Sequence, residues 1–225
     1  MGLRRLKRVP LEQLQPFLLA LPDAGAVFDW SAIFGNKNPV ELEVGFGKGG
    51  FLVAAAQARP NVNFVGIEIE RALVLYVAGR MVRRKLSNVR LLHGDARQIV
   101  ARHLPADSLQ AIHVYFPDPW WKRRHRKRRL FTAEFAHACV RALQPGGRLH
   151  LATDVEEYFT EMLTILHAIP ELKVLEQGPW EASCQASLDV ITNFQRKALQ
   201  QGRSIWRAVF EKVSPSTESG ELQSK

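Results

Sequence analysis

Five acids stand where short apolar runs give out: Glu43, Glu68, Asp95, Asp118 and Asp154. The first precedes a glycine turn, Glu43-Val-Gly45-Phe-Gly47-Lys-Gly49, whose backbone can bend sharply and approach a ligand closely. The spacing is GxGxG with an acid two residues ahead, not the GxGxxG that cradles a dinucleotide pyrophosphate. A carboxylate inside such a turn is poorly placed for phosphate. It suits a ligand that carries positive charge. Glu68 ends the next apolar run, where a carboxylate can accept both hydroxyls of a ribose. Asp95 can contact an adenine or cap a helix, and Asp118 and Asp154 end two further runs.

The densest chemistry lies between Ile112 and Arg129. The alternation Ile112, Val114, Phe116 stops at Pro117-Asp118-Pro119, because two prolines cannot supply the N–H groups of a central strand. Asp118 is thereby presented at a strand end beside Trp120 and Trp121. From Lys122 to Arg129 every residue except His125 is Lys or Arg. An acid, two aromatic faces and a block of positive charge at one edge suit a nucleic-acid base and its phosphates.

Elements that could position these groups follow from the pattern. Strands are expected at 40–44, 63–69, 89–92, 109–116, 148–152, 172–176 and 204–210. Helices are expected at 51–59, 71–86, 96–103, from the Thr132 cap to Leu143, and at 155–168. Repeated strand–helix alternation predicts an α/β fold with a mostly parallel sheet and helices on both faces. Ligands on such sheets bind beyond the carboxyl ends of the strands, and all five acids fall at such ends. Residues 1–38 read as a basic extension packed loosely on a domain spanning 39–213. Residues 214–225, rich in Ser, Glu and Gln, read as a disordered tail.

The chain has 225 residues, enough for one full α/β domain. Its net charge is +9, and Lys122–Arg129 supplies seven of its cations, so the imbalance is local and favours a polyanion-docking patch. No apolar run reaches the ~20 residues that span a bilayer, and no signal peptide is expected after the basic N-terminus. Cys139 and Cys184 show no metal-ligand spacing. A cytoplasmic protein with no metal and no membrane partner is expected, acting as a monomer or a homodimer.

Together these residues resemble the class I S-adenosylmethionine-dependent methyltransferases, whose cofactor carries a sulfonium and an ammonium and no phosphate. More narrowly, they resemble the bacterial tRNA (guanine-N7)-methyltransferases, which modify guanine 46 of the tRNA variable loop. The resemblance covers roughly residues 35 to 212. Its most specific part is Phe116-Pro-Asp-Pro-Trp-Trp-Lys-Arg-Arg-His125, where the family reads FPDPWPKKRH. Leu42–Gly49, Pro145–Asp154 and Ile205–Phe210 support it.

The resemblance implies a Rossmann-like sheet, S-adenosylmethionine as cofactor and tRNA as partner. It places cofactor contacts on Glu43, Gly45, Gly47, Glu68, Asp95 and Asp118, with Asp118 also catalytic. Substrate contacts fall on Lys122, Asp154 and the segment Thr192, Asn193, Phe194, Gln195. That segment departs from the family's TKFE, losing one positive and one negative charge, and Trp121 replaces the usual proline. Three other functions fit parts of the pattern. One is methylation of a different nucleic-acid atom, although amino-methylating loops read Asn/Asp-Pro-Pro-aromatic. Another is RNA binding without turnover, which needs none of the three acids Glu43, Glu68 and Asp118. The third is a nicotinamide dehydrogenase, which the glycine spacing disfavours.

Overall fold

Val40–Val44 and Asn63–Glu68 are buried along their whole length, as strands covered on both faces must be. The computed structural model describes residues 9–180 and 200–214. Among these, eight strands form one sheet: β1 (Leu18–Leu19), β2 (Val40–Val44), β3 (Asn63–Glu68), β4 (Val89–His93), β5 (Leu109–Tyr115), β6 (Leu143–Thr153), β7 (Leu172–Pro179) and β8 (Trp206–Lys212). Their spatial order is β1-β4-β3-β2-β5-β6-β8-β7. Neighbours from β1 to β6 pair in parallel, and β8 runs antiparallel to both β6 and β7.

Successive side chains along a strand point to opposite faces, and that rule divides the core in two. Leu42, Val44, Ile112, Val114, Leu149 and Leu151 face the helices α5 (Ala96–His103), α6 (Ala133–Ala142) and α7 (Glu156–His167). Phe64, Val89 and Leu91 face α3 (Gly50–Ala58) and α4 (Arg71–Arg84). From β2 the chain moves outward through β3 and β4, then returns to lay β5 and β6 on the other side of β2. The order therefore reverses between β2 and β5, and a crevice opens there beyond the carboxyl ends.

The expected strands and long helices are present, most with small shifts at their ends. The strand expected at 148–152 starts instead at Leu143: Leu143 pairs with Leu109 ahead of Pro145-Gly146-Gly147, and the register shifts before Arg148 pairs with Ala111. The N-terminal stretch differs from the expectation of loose packing. Residues 9–38 hold the short helices α1 (Leu11–Leu14) and α2 (Trp30–Phe34); β1 adds an edge strand beside β4, and Phe28 and Trp30 are buried in the core. Trp30, on the short helix Trp30–Phe34, stacks on Phe28 and donates from Nε1 to Ser108 Oγ at 3.2 Å. Burying these two aromatic rings holds the stretch on the domain although Pro10, Pro16 and Pro22 interrupt it. In the basic block, Arg123–Arg128 form a 3-10 helix. Among the described residues no helix is long and apolar enough to cross a membrane.

Candidate functional site

The glycine turn joins β2 to α3. Gly49 caps α3 in the left-handed region (φ 65°), and a Cβ there would stand 2.8 Å from Val77, so only glycine fits. Gly45 is also left-handed (φ 71°), but a Cβ on it would meet nothing within 4 Å. Its surface faces open space. The Gly47 N–H donates to Glu68 Oε2 at 2.9 Å, and the Glu70 N–H donates to Glu68 Oε1 at 3.1 Å. Glu68 thus ties the turn to the end of β3.

Above this turn lies a cleft of about 440 Å³, whose walls include Gly45, Gly47, Glu68, Asp95, Asp118 and Trp120. That is a size suited to a small-molecule ligand. Asp95 caps α5 by accepting from the Arg97 N–H at 3.0 Å, and also pairs with the Arg97 guanidinium at 2.8 Å. The Arg97 guanidinium holds its carboxyl below the ordinary value. The capping reading of Asp95 and its place on the cleft wall therefore coexist. Ile69 was not foreseen: it is 69% exposed and lines the cleft immediately after Glu68. Its position directly after a strand-end acid was the available signal.

Glu43 is brought near but not onto the wall. Its carboxyl is buried, it receives the Leu52 N–H, and its Oε2 has no partner among the described residues. Burial, reinforced by the nearby Glu68 charge, pushes its pKa up to about 8. With the folded value above the ordinary 4.5, this group's contribution to stability is intact below pH 4.5 and is lost as pH rises towards about 8. Glu43→Gln should remove that downward slope and raise the Tm of the ligand-free protein at pH 8. Thermal melts of both proteins across this range check it, and parallel pH profiles would contradict it.

Asp118 lies between two non-glycine residues in the left-handed region, Phe116 (φ 52°) and Trp120 (φ 44°). Each such residue costs about 1–3 kcal/mol and persists only where the surroundings hold it. Asp118 lines the cleft and also an adjoining recess of about 420 Å³ with Pro119, Trp120, Trp121, Lys122 and His125. Asp118 and Trp120 are common to both. Trp121 is 67% exposed at this recess.

The cations after it are not equivalent. Lys122, Arg124 and Lys127 are exposed. Arg126 pairs with Glu157 on α7, and Arg128 lies 5.1 Å over the Trp120 ring and borders the cleft. Arg129 is buried.

Asp154, at the end of β6, is half-buried and ion-paired with Arg203, and does not line the cleft. Thr192, Asn193, Phe194 and Gln195 lie outside the described residues. Among the described residues no cluster of His, Cys, Asp and Glu could hold a metal ion. The structure therefore gathers Gly45, Gly47, Glu68, Asp95 and Asp118 around one cleft, with Lys122 at its neighbour.

Comparison with known proteins adds four findings. The model of a protein family described as "Putative methyltransferase" matches residues 37–208. A tRNA (guanine-N(7)-)-methyltransferase of Hydrogenovibrio crunogenus is 35% identical over 83% of this chain and 78% of its own length. One from Rhodopirellula baltica is 38% identical over 91% of this chain and 78% of its own. Among solved structures, the 16S rRNA methyltransferase KamB superposes with a TM-score of 0.63 over 84% of this chain and 95% of that one, at 16% identity. That last likeness concerns the fold alone.

Proposed function

The chain belongs to the tRNA (guanine-N(7)-)-methyltransferase family, and from that premise we propose that it moves a methyl group from S-adenosylmethionine to N7 of guanine 46 in the tRNA variable loop. The observation that carries this reading is Asp118, which stands on the shared wall of the cleft and the recess beside the basic edge. A methyl donor in one and a base in the other would meet at that residue.

The cleft suits the proposed donor. Open space over Gly45 admits a ligand close to the backbone, and Glu68 can accept ribose hydroxyls. The exposed Ile69 offers an apolar face to a purine, with Asp95 close by on the same wall. The Glu43 carboxyl beneath the turn, whose Oε2 has no partner among the described residues, is held mostly neutral below about pH 8 in the ligand-free protein, and a cationic ligand nearby would favour its ionised form. S-adenosylmethionine, when bound, supplies a methyl group made electrophilic by the sulfonium.

The protein's own work is then positional and electrostatic. Guanine N7 is an unprotonated lone pair, so no general base is needed. Methylation leaves a positive charge on the purine, and the Asp118 carboxylate can orient the base and stabilise that charge. Holding the reacting atoms close and aligned supplies most of the remaining acceleration. Trp121 offers a stacking face for a base, and Lys122, Arg124 and Lys127 offer charge to tRNA phosphates. Asp154 either hydrogen-bonds the guanine or, through Arg203, steadies the edge of the site. A tRNA substrate fits a cytoplasmic location.

Two altered substrates test the assignment. Transcripts carrying adenine or 7-deazaguanine in place of guanine 46 should accept no methyl group: 7-deazaguanine has a carbon in place of N7, and adenine keeps an N7 but lacks the O6 and N1–H edge by which guanine is recognised. Full methylation of the 7-deaza transcript would sink the N7 reading.

A further inference from the structure

Arg129 closes the basic run, yet it is 2% exposed and heads the largest fully buried side chains. A phosphate ligand would be expected on the surface. Burying a guanidinium is costly unless it is paired and its donors are used. Here it is paired with Glu161 of α7, and it lies 4.7 Å over the Tyr158 ring. Its Nε donates to the carbonyl of Pro119 at 2.8 Å. Tyr158 is itself fixed, its hydroxyl accepting from the Phe131 N–H at 3.2 Å.

The Pro119 carbonyl belongs to the peptide that leads into Trp120, the left-handed residue at the far end of the Asp118 loop. Pro117 and Pro119 already fix their own φ angles. Few free torsions remain between β5 and that carbonyl, so its anchor point largely decides where Asp118 faces. A guanidinium presents several donors in one rigid plane and can hold a carbonyl and a carboxylate at once, which a lysine ammonium does with less directional constraint.

We propose that Arg129 is a positioning residue: its buried guanidinium clamps the Pro119 carbonyl against Glu161 and Tyr158 and thereby sets the aim of Asp118 into the cleft. The consequence for turnover rests on the reading of Asp118 given above. The clamp itself is a statement about the loop.

The test uses the full chain carrying Arg129→Lys, with Glu161→Gln as a second variant that removes the ion pair and leaves the guanidinium in place. Amide hydrogen exchange at Asp118 and Trp120–Lys122 is compared with wild type, alongside kcat, tRNA KM and the salt dependence of tRNA binding. Arg129→Lys should speed exchange in the loop and lower kcat by about 10–100-fold, with tRNA KM and the salt slope unchanged. Glu161→Gln should shift the same readouts in the same direction by less.

If tRNA binding weakens and the salt slope falls by about one while kcat holds, Arg129 is a phosphate ligand and the proposal is wrong. Unchanged loop exchange, or a lower Tm with normal kcat, equally overturns it. Should Arg129→Lys fail to fold, unchanged exchange and kcat in Glu161→Gln decide against it. Exchange is read independently of turnover, so an inactive wild-type chain would overturn the functional reading while this comparison still decides the clamp.

Discussion

Asp118→Ala is expected to lower kcat for tRNA methylation by about 10²–10³-fold, the usual scale for losing one preorganised electrostatic group. The dissociation constant of S-adenosylmethionine should move by much less. The asymmetry follows from position: the cleft has its glycine turn, Glu68 and Asp95 as well, whereas Asp118 is the one carboxylate among the residues it shares with the recess. Asp118→Asn keeps the size and a hydrogen-bonding group but removes the negative charge. It should fall between wild type and alanine if charge stabilisation of the methylated purine contributes. Turnover unchanged in Asp118→Ala would remove this residue from the chemistry.

The second large effect is expected on tRNA binding. Neutralising Lys122, Arg124 and Lys127 together should weaken tRNA affinity and reduce the slope of log K against log salt by about one per residue. These three side chains are exposed, so their removal leaves the core untouched. Arg126, paired with Glu157, should contribute less to the slope than any of them, and the buried Arg129 nothing. A slope that stays fixed in the triple variant would mean that the RNA docks elsewhere.

Much of this was legible in the sequence because period and punctuation carry strong signals. The run from Val40 to Val44 ends at glycine and that from Leu109 at proline, and the strands β2 and β5 end there. Strand ends in a parallel sheet then bring Glu68, Asp95 and Asp118 to one edge without further information. What was not legible depends on partners distant in the chain. Glu41 and Glu43 lie in the same strand with the same periodicity, and both are buried. Only the fold shows that Glu41 is met by Arg59 at 2.8 Å and His113 at 2.9 Å, while one oxygen of Glu43 has no partner among the described residues.

Despite burial, which alone would raise it, hydrogen bonds from His113 and Arg59 bring the Glu41 carboxyl down to about 2. The same partner effect divides the basic run, since nothing in eight consecutive residues marks Arg129 as the one that turns inward. Phe28 and Trp30 were likewise hidden, because a short amphipathic segment among prolines gives little periodic signal. Thr192–Gln195, which the family resemblance singles out, lies outside the described residues.

The most direct test of the central claim is chemical identification of the product. Unmodified tRNA is incubated with the purified chain and methyl-labelled S-adenosylmethionine, digested to nucleosides, and resolved. The account predicts label in 7-methylguanosine, and label confined to any other nucleoside would contradict it.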